Sequence, residues 1–590
     1  MLYKISFPLI SGPSFLSSNK IFLLCFLTLY FLVSFLLPAH ADDVLEDSVH
    51  QGFGCQVCHE NSDGDGPANC TKCHDHEVDA YKTGIHAQKN KQGEPNASCS
   101  DCHGDHDIAP VSDADSEVNR DNISETCGQC HPREKKEYMA GIHAEVFEDD
   151  PDSAPDCLTC HGFHKIESVK KTQFILNTTR TCGSCHQDSL DTYRDSLHGQ
   201  IVTLQGGTGA TCWACHSSHD IKEPTDPASP LSKNKEADAC RKCHSTVTPS
   251  FLSYWPHSSV HDKNNYPILY YIYHMMKALF FLVMVTATIH TLAWMRGFPN
   301  IIRTRIEKAR GRRYVFYLRF PTWHRLTHFI LFISVIGLAV SGLPLRYSST
   351  VWARTLITFI GGFKHIDLLH KSMAALLFLA VLLHGYYLIN LVRQKGFRGF
   401  FRFLFSPDSL FPKVQDFKEA WAEFRCFLKG TCEPKRDKWS YWEKFDYWAV
   451  FWGMIVIGGS GLMLAFPEIT TRFVPGWVLN VALIFHSEEA LLAIFFLFIF
   501  HFFHAHLRPM KFPIDETIFT GRISEEDYFN ERQLEVARKS PEELEKMKVQ
   551  PPNFFFRLAV YIVSFIAVDI GLILIACILY TAWKTGNIFP

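Results

Sequence analysis

The stretch Cys127-Gly-Gln-Cys130-His131 continues through Tyr138-Met-Ala-Gly-Ile-His143, and closely similar stretches recur along the first half of the chain. Its first five residues follow the pattern C-x-x-C-H. Two thiols at this spacing can bind the two vinyl groups of one c-type haem, and the adjoining histidine then ligates the iron. A single C-x-x-C also occurs in zinc ribbons and redox dithiols. Its repetition, with histidine at every copy, indicates haem attachment instead.

Eight copies of the motif lie between residues 55 and 244. Their cysteine pairs are Cys55 and Cys58, Cys70 and Cys73, Cys99 and Cys102, Cys127 and Cys130, Cys157 and Cys160, Cys182 and Cys185, Cys212 and Cys215, and Cys240 and Cys243. The histidines that complete them, in the same order, are His59, His74, His103, His131, His161, His186, His216 and His244. The sequence therefore predicts eight covalent haems c, each with a proximal histidine.

Further histidines recur at fixed offsets from these motifs. After four motifs another histidine lies 12, 12, 12 and 13 residues beyond the proximal one, and three other motifs read C-x-x-C-H-x-x-H. These offsets predict seven sixth ligands, which are His86, His106, His143, His164, His198, His219 and His257. His50, His76 or His261 would supply the eighth. Because irons with two histidine ligands have no open site for a small substrate, such haems carry electrons.

The motifs form an internal repeat of 55 to 58 residues that carries two haems, which is typical of a modular array. Residues 42–265 contain 37 acidic and 19 basic side chains, a local net charge of −18. They have too few aliphatic residues for a hydrophobic core, so the haems would take its place. The sequence predicts a periplasmic octahaem cytochrome c domain with short helices, long loops and little strand.

Residues 1–41 have the features of a secretory signal peptide. Lys4 and Lys20 are their only charges, residues 21–37 are continuously apolar, and Ala39-His40-Ala41 fits the cleavage rule for small residues. The apolar run is long, so an uncleaved anchor is the alternative. Either form exports the haem motifs, whose haem is attached outside the bacterial cytoplasm.

Residues 266–590 have the composition of a membrane domain. Six apolar stretches are long enough to span a bilayer, near residues 267–295, 322–345, 366–392, 441–466, 478–506 and 555–583. The loop 296–320 holds eight arginines and lysines against Glu307 alone, so the positive-inside rule places it in the cytoplasm. The predicted fold is an all-α membrane helical bundle of about six transmembrane helices, preceded by the haem-packed, loop-rich domain.

Histidines inside the predicted spans indicate a second set of cofactors, because ionisable groups in lipid are costly and usually functional. His370 and His384 lie 14 residues apart on the third span, and His486 and His501 lie 15 apart on the fifth. At about 1.5 Å per residue, each pair covers roughly 21–23 Å along its helix. Two such helices could hold two non-covalent haems b, one near each membrane surface. The alternative is that these histidines only pack between helices.

Here the sequence resembles a known family. The resemblance rests on Pro321-Thr-Trp-His-Arg-Leu-Thr-His328-Phe, Gly337-Leu-Ala-Val-Ser-Gly342, Leu368-Leu-His370, Phe485-His486-Ser-Glu-Glu-Ala-Leu-Leu-Ala and Phe500-His501. These residues are similar to the haem helices of formate dehydrogenase gamma subunits and of the b cytochromes of nickel–iron hydrogenases. The resemblance covers about residues 320–520 and implies two haems b that exchange electrons with menaquinone.

The same resemblance implies the ligands of the two haems b. His370 and His486 would ligate the outer haem, and His328 and His501 the inner one. This chain departs from the family pattern because it adds His384 at the inner level. The inner partner of His501 is therefore open between His328 and His384.

The whole arrangement resembles the fused b- and c-type cytochromes that oxidise menaquinol in metal-respiring bacteria. That resemblance implies a quinol:cytochrome c-type oxidoreductase of the cytoplasmic (inner) membrane. Electrons would pass through two haems b and eight haems c to a periplasmic cytochrome or an outer-membrane acceptor. Two alternatives are a quinone reductase fed by a periplasmic donor and a terminal oxyanion reductase with a five-coordinate haem.

Quinol oxidation also releases two protons, so its site needs a titratable acceptor. Glu488 and Glu489 follow His486 in an otherwise apolar helix. Adjacent helical residues point about 100° apart, so at least one of the two should face the bundle. The alternative is that both lie at the membrane surface or support the histidine.

The predicted partners are the quinone pool, the membrane and a soluble periplasmic redox protein. A domain with a net charge of −18 should attract a basic partner, although the acidity also serves solubility. The sequence indicates no nucleic-acid partner, and assembly into a homo-oligomer is compatible with it.

Overall fold

The computed structural model describes residues 55–59, 68–104, 108–204, 209–295, 315–429, 435–504, 511 and 514–586. The signal peptide predicted for residues 1–41 lies outside these ranges. So do two candidate ligands, His50 and His106, and the basic loop 296–314. Of the first motif, the side chain of Cys55 is also outside the description.

The region of the haem motifs consists of short helices of 4 to 14 residues joined by loops. Its helices are Cys55–Cys58, Asp75–Lys82, Ser100–His103, Ile123–Gly128, Pro132–Met139, Ile142–Asp149, Cys157–His161, Thr172–Cys185, Gln187–Asp195, Leu197–Thr203, Cys212–His216, Glu236–Arg241 and Pro249–Leu252, with 3₁₀ turns at Cys70–Lys72 and Pro151–Ser153. In the described part of this region, extended pairing is limited to one bridge between Lys89 and Pro95. The predicted architecture is therefore confirmed.

The motifs themselves set where these helices begin and end. Thr172–Cys185 ends at the sixth motif, and Gln187–Asp195 begins directly after its proximal His186. At the fifth motif, the side chain of Asp156 accepts a hydrogen bond from the backbone of Thr159 and caps the helix. In the fifth, sixth and seventh motifs both cysteines thus lie on one helical turn, with the histidine at the helix end.

Six helices are long and apolar enough to cross a membrane, as the sequence predicts. They are Pro267–Met295, Thr322–Arg346, Phe363–Leu404, Tyr441–Ala465, Trp477–His501 and Phe554–Thr585. We call them the first to sixth spans. The third continues beyond the predicted end at residue 392, and at Gly396 its backbone leaves the helical conformation (φ 67°, ψ 164°).

Two neighbouring spans of the bundle contain a π-helical turn. Met454–Gly458 lies within the fourth span, and Phe496–His501 ends the fifth. A π turn takes up one extra residue, so the 15 residues from His486 to His501 act as about 14 residues of α-helix. Fourteen residues at about 100° each fall roughly 40° short of four turns. The π turn therefore brings the spacing on the fifth span close to that of His370 and His384 on the third.

The main hydrophobic core lies between the first, second, fifth and sixth spans. Tyr273 of the first, Leu343 of the second, Leu491 of the fifth and Ile578 of the sixth are each at most 4% exposed. The third span packs along the second, and the fourth along the fifth. Further short helices connect the spans: Val351–Ile360, Val414–Lys429, Pro467–Thr470, Thr517–Thr520, Glu525–Glu531, Gln533–Arg538 and Pro541–Lys546.

A small antiparallel sheet, which the sequence did not predict, joins the connections at the other end of the bundle from the haem motifs. Its strands are β1, Phe316–Leu318, β2, Arg522–Ser524, and β3, Lys548–Val549, in the order β2-β1-β3. Tyr317 pairs with Ile523 on one side and Lys548 on the other. Strands of two or three residues are too short to show an alternating pattern in sequence.

Candidate functional site

Six pairs of histidine rings face each other in the region of the haem motifs. They are His86 with His131, His103 with His164, His143 with His186, His161 with His219, His198 with His244, and His216 with His257, at centroid separations of 6.0–6.4 Å. Each pair joins one proximal histidine to one histidine predicted as a sixth ligand. Six of the seven predicted sixth ligands are thus placed opposite a motif histidine.

The ring separations fit an iron atom between the two imidazoles. An imidazole nitrogen lies about 2 Å from a first-row metal that it ligates, so two rings on opposite sides of one iron have centroids roughly 6 Å apart. Among the described residues, no three histidine, cysteine or carboxylate side chains come together as a bare metal site would require. Histidine rings arranged in facing pairs fit an iron whose four other ligands come from a porphyrin.

The protonation of these rings also suits ligation, which needs neutral imidazole. Burial lowers the pKa of His143 below its usual range, and the facing His186 lowers it further. The pKa of His198 is lowered in the same way, by burial and then by His244. Both rings are therefore neutral near pH 7 and available to a metal.

The pairs connect different repeats. His143 lies 12 residues after its own proximal His131 but faces His186 of the following repeat. His164 lies three residues after His161 but faces His103 of the preceding repeat. The sequence offsets identify these ligands without showing which iron each would serve.

A backbone turn explains why the C-x-x-C-H-x-x-H histidines reach away from their own motif. The residue after the proximal histidine has a positive φ in all three copies: 80° at Gly104, 76° at Gly162 and 72° at Ser217. This conformation suits glycine and is strained for serine. It ends the short helix, and in the second and third copies the following histidines, His164 and His219, face a histidine of another motif.

The ligands of the first two motifs stay predictions, since His50 and His106 lie outside the described residues. His261, a third candidate, packs edge-on against Tyr273 of the first span at 5.5 Å instead of facing a motif histidine. His76 lies on the helix Asp75–Lys82, directly after the second motif.

Thiols of successive motifs also approach each other. Cys127 and Cys157 lie within hydrogen-bonding reach, as do Cys182 and Cys212. Haems attached at these neighbouring motifs would therefore lie close to each other. This arrangement suits electron transfer along the array.

In the membrane, the structure brings together the predicted outer pair. The rings of His370 and His486 lie 6.2 Å apart, at the separation of the other six pairs. Ser341 of the second span is 3.0 Å from Nδ1 of His370. The carbonyl oxygen of Ile457 accepts a hydrogen bond from Nδ1 of His486 at 3.0 Å. Both rings thus keep Nε2 for a metal, because a bond at Nδ1 fixes the tautomer.

A repeated Ser-Gly-Leu sequence makes this outer site, and the sequence reasoning missed it. Ser341-Gly342 lies on the second span and Ser460-Gly461 on the fourth. A Cβ at Gly342 would lie 3.1 Å from Cε1 of His370, and one at Gly461 would lie 2.9 Å from Cε1 of His486. Glycine gives each ring its space. The recurrence of the tripeptide in two spans is the signal that could have found it.

At the inner level, Nδ1 of His501 is 2.9 Å from the carboxylate of Asp446, which again leaves Nε2 for a metal. His384 shows the opposite arrangement, since its Nε2 is 2.8 Å from the hydroxyl of Tyr447. The ring of His328 packs edge-on against Phe519. The orientation of His384 favours His328 as the inner ligand.

Both glutamates after His486 are buried, Glu488 at 5% and Glu489 at 4% exposure. Arg346 at the end of the second span donates to Oε1 of Glu488 at 2.8 Å. Oε2 of Glu489, like Oε2 of Glu488, is buried and has no hydrogen-bond partner among the described residues, although Glu489 also has a side-chain hydrogen bond with Trp452. The ion pair commits Glu488 to Arg346 and leaves Glu489 as the candidate proton acceptor.

The fold and the paired rings define a class of protein, a helical membrane cytochrome that carries a multihaem c-type region. The comparisons agree. Residues 319–513 match the family described as prokaryotic cytochrome b561, and residues 163–245 match cytochrome c7 and related cytochrome c. The chain is a fusion of a multihaem cytochrome c with a cytochrome b. The resemblance noted for residues 320–520 is therefore confirmed.

One curated relative is the multiheme cytochrome MtrA of Shewanella baltica (strain OS185). It is 30% identical over 135 residues, which cover 20% of this chain and 37% of the relative. The chain thus spans little more than a third of that protein's length. No solved structure matches the chain.

Proposed function

We propose that the protein is a menaquinol:cytochrome c-type oxidoreductase of the cytoplasmic membrane, with residues 42–265 in the periplasm. Electrons pass from quinol through two haems b and eight haems c to a periplasmic or outer-membrane acceptor. The observation that supports it best is the ring pair of His370 and His486, 6.2 Å apart at the end of the bundle nearest the haem motifs. A haem held there lies between the membrane interior and the c-type array.

The six described ring pairs of the array support electron transport over oxyanion reduction. A terminal reductase needs an iron with an open site, whereas each of these six irons would have two histidine ligands. The haems supply the redox chemistry, and the protein supplies their spacing and electrostatic surroundings.

The protons of quinol also have a proposed acceptor. Glu489 is buried on the fifth span, three residues after His486, and one of its oxygens has no partner among the described residues. Its carboxylate takes up a proton as quinol is oxidised near the outer haem b. Beside it, Arg346 forms an ion pair with Glu488.

Cofactor counting and a reduction assay test this proposal together. Acid–acetone treatment of the purified protein should extract two haems for every eight that stay bound. In nanodiscs, a menaquinol analogue should reduce haems b and then haems c, and His370→Ala should remove one haem b and stop reduction of the c-type array. Reduction of haems c by menaquinol in His370→Ala would contradict the route. If a redox titration gave the haems c lower reduction potentials than the haems b, it would favour electron flow in the reverse direction.

A further inference from the structure

The connection between the fourth and fifth spans contacts the last haem motif directly. Glu468, in the short helix Pro467–Thr470, accepts hydrogen bonds from the backbone nitrogen and the hydroxyl of Ser245, both at 2.9 Å. Its Oε1 also lies 3.6 Å from Nδ1 of His244, the proximal histidine of the eighth motif. A membrane-domain carboxylate therefore lies against a predicted haem ligand.

Neighbouring contacts hold the segment after the eighth motif against the start of the fifth span. The backbone nitrogen of Gly476 donates to the carbonyl oxygen of Ser250 at 2.7 Å, and a Cβ at Gly476 would lie 2.5 Å from the nitrogen of Tyr254. Asn480 at the start of the fifth span bonds both the nitrogen and the carbonyl oxygen of Trp255. The chain after the eighth motif is thus held against the fifth span without room for a side chain at residue 476.

The same span carries the outer haem ligand. His486 lies six residues after Asn480, which is about 9 Å along the helix axis. The eighth motif, whose His244 faces His198 at 6.2 Å, therefore lies beside the end of the bundle that contains His370 and His486.

We propose that electrons cross between the haems b and the c-type array at the haem bound by Cys240 and Cys243, and that Glu468 is a positioning residue for its ligand His244. The carboxylate of Glu468, 3.6 Å from Nδ1, favours through its charge the tautomer that carries a proton there, which leaves Nε2 for the iron. Its negative charge also stabilises the ferric state, so the potential of this haem is lowered. The crossing point rests on the proposed function only in requiring electron flow between the two haem groups.

The test uses the full-length protein in nanodiscs, reduced with dithionite and mixed with excess oxidised soluble cytochrome c. No quinol is present, so failure of the quinol activity would not affect the result. In the wild type, haems c should reoxidise first. Haems b should then reoxidise as their electrons cross to the haem of the eighth motif. Gly476→Val should slow the b-type phase at least tenfold and leave haem content and the c-type phase unchanged. Gly459→Val is the control, since a Cβ at Gly459 meets nothing within 4 Å.

Potentiometric titration tests Glu468 itself. Glu468→Gln should raise the reduction potential of one haem c by about 59 mV, which is a tenfold change in its one-electron reduction equilibrium. Glu137→Gln is the matched control, because Glu137 lies 3.3 Å from Nδ1 of His219 within the array. It should raise the potential of a different haem c, and the double variant should show both shifts. Glu468→Asp should restore most of the wild-type potential.

Two results would overturn the proposal. Unchanged potentials for all haems c in Glu468→Gln would remove the role of the carboxylate. A b-type phase as fast in Gly476→Val as in the wild type, with all haems present, would show that electrons cross elsewhere.

Discussion

Replacing His143 with alanine should open the haem bound by Cys182 and Cys185, which belongs to the following repeat. The ring of His143 faces His186 at a centroid separation of 6.4 Å, although His131 is its nearer neighbour in sequence. With an imidazole nitrogen about 2 Å from the iron on each side, this gap holds one iron and no further atom. Without the His143 ring, the iron keeps His186 alone and becomes high-spin.

The size of the effect follows from the number of motifs. One of eight haems c should change, so the high-spin ferric signal in low-temperature electron paramagnetic resonance should equal one eighth of the covalent haem. After reduction, the c-type array of the variant should bind one carbon monoxide molecule per chain, and that of the wild type should bind none. His274→Ala is the control, because His274 is not a predicted haem ligand and its Nδ1 lies 2.8 Å from the carbonyl oxygen of Tyr270 on the first span.

A second substitution identifies the affected haem. In the His143→Ala background, replacing Cys182 and Cys185 by alanine removes the haem opposite His143, so the high-spin signal should disappear. Replacing Cys127 and Cys130 instead should leave it in place. The opposite outcome would refute the pairing between repeats and assign His143 to its own motif.

Three other predictions concern the membrane domain and its partner. Gly461→Ala should weaken binding of the outer haem b by about 1–3 kcal/mol through overpacking, whereas Gly459→Ala should not; haem b content per chain measures this. Glu489→Gln should lower the rate of menaquinol oxidation by at least about tenfold with unchanged haem spectra. Glu488→Gln should instead destabilise the protein by about 3–5 kcal/mol, measured by thermal unfolding, because it leaves the buried Arg346 unpaired. Electron transfer to a basic cytochrome should slow steeply between about 10 mM and 1 M salt, as the Debye length falls from about 30 to 3 Å, and a stopped-flow profile independent of salt would contradict steering by the −18 charge.

The sequence was sufficient for the cofactor class and for the six membrane spans. Haem attachment is local chemistry, so five residues such as Cys127-Gly-Gln-Cys130-His131 specify a site wherever the chain places them. A membrane span is local in the same sense, because about 20 apolar residues satisfy the bilayer without help from distant residues. The six predicted spans were found for this reason.

The outer haem b site was found only in part from the sequence. Its two histidines stand out because ionisable groups are rare in lipid. The residues that position them do not, since serine and glycine are ordinary in a span. Ser341 and Gly461 gain their roles only where the second span meets the third and the fourth meets the fifth.

Tertiary structure alone decided which histidines face each other. The offset of 12 residues marks His143 as a ligand, but only the turns between short helices carry it to His186. Likewise, the hydrogen bond that turns Nε2 of His384 to Tyr447 joins residues 63 positions apart, and the contact of Glu468 with His244 joins residues 224 positions apart. The alignment of His501 depends on one extra residue in a helical turn. Motifs and hydropathy record what each segment is made of. Pairing across repeats and spans depends on how the packed segments orient one another, and no single segment contains that information.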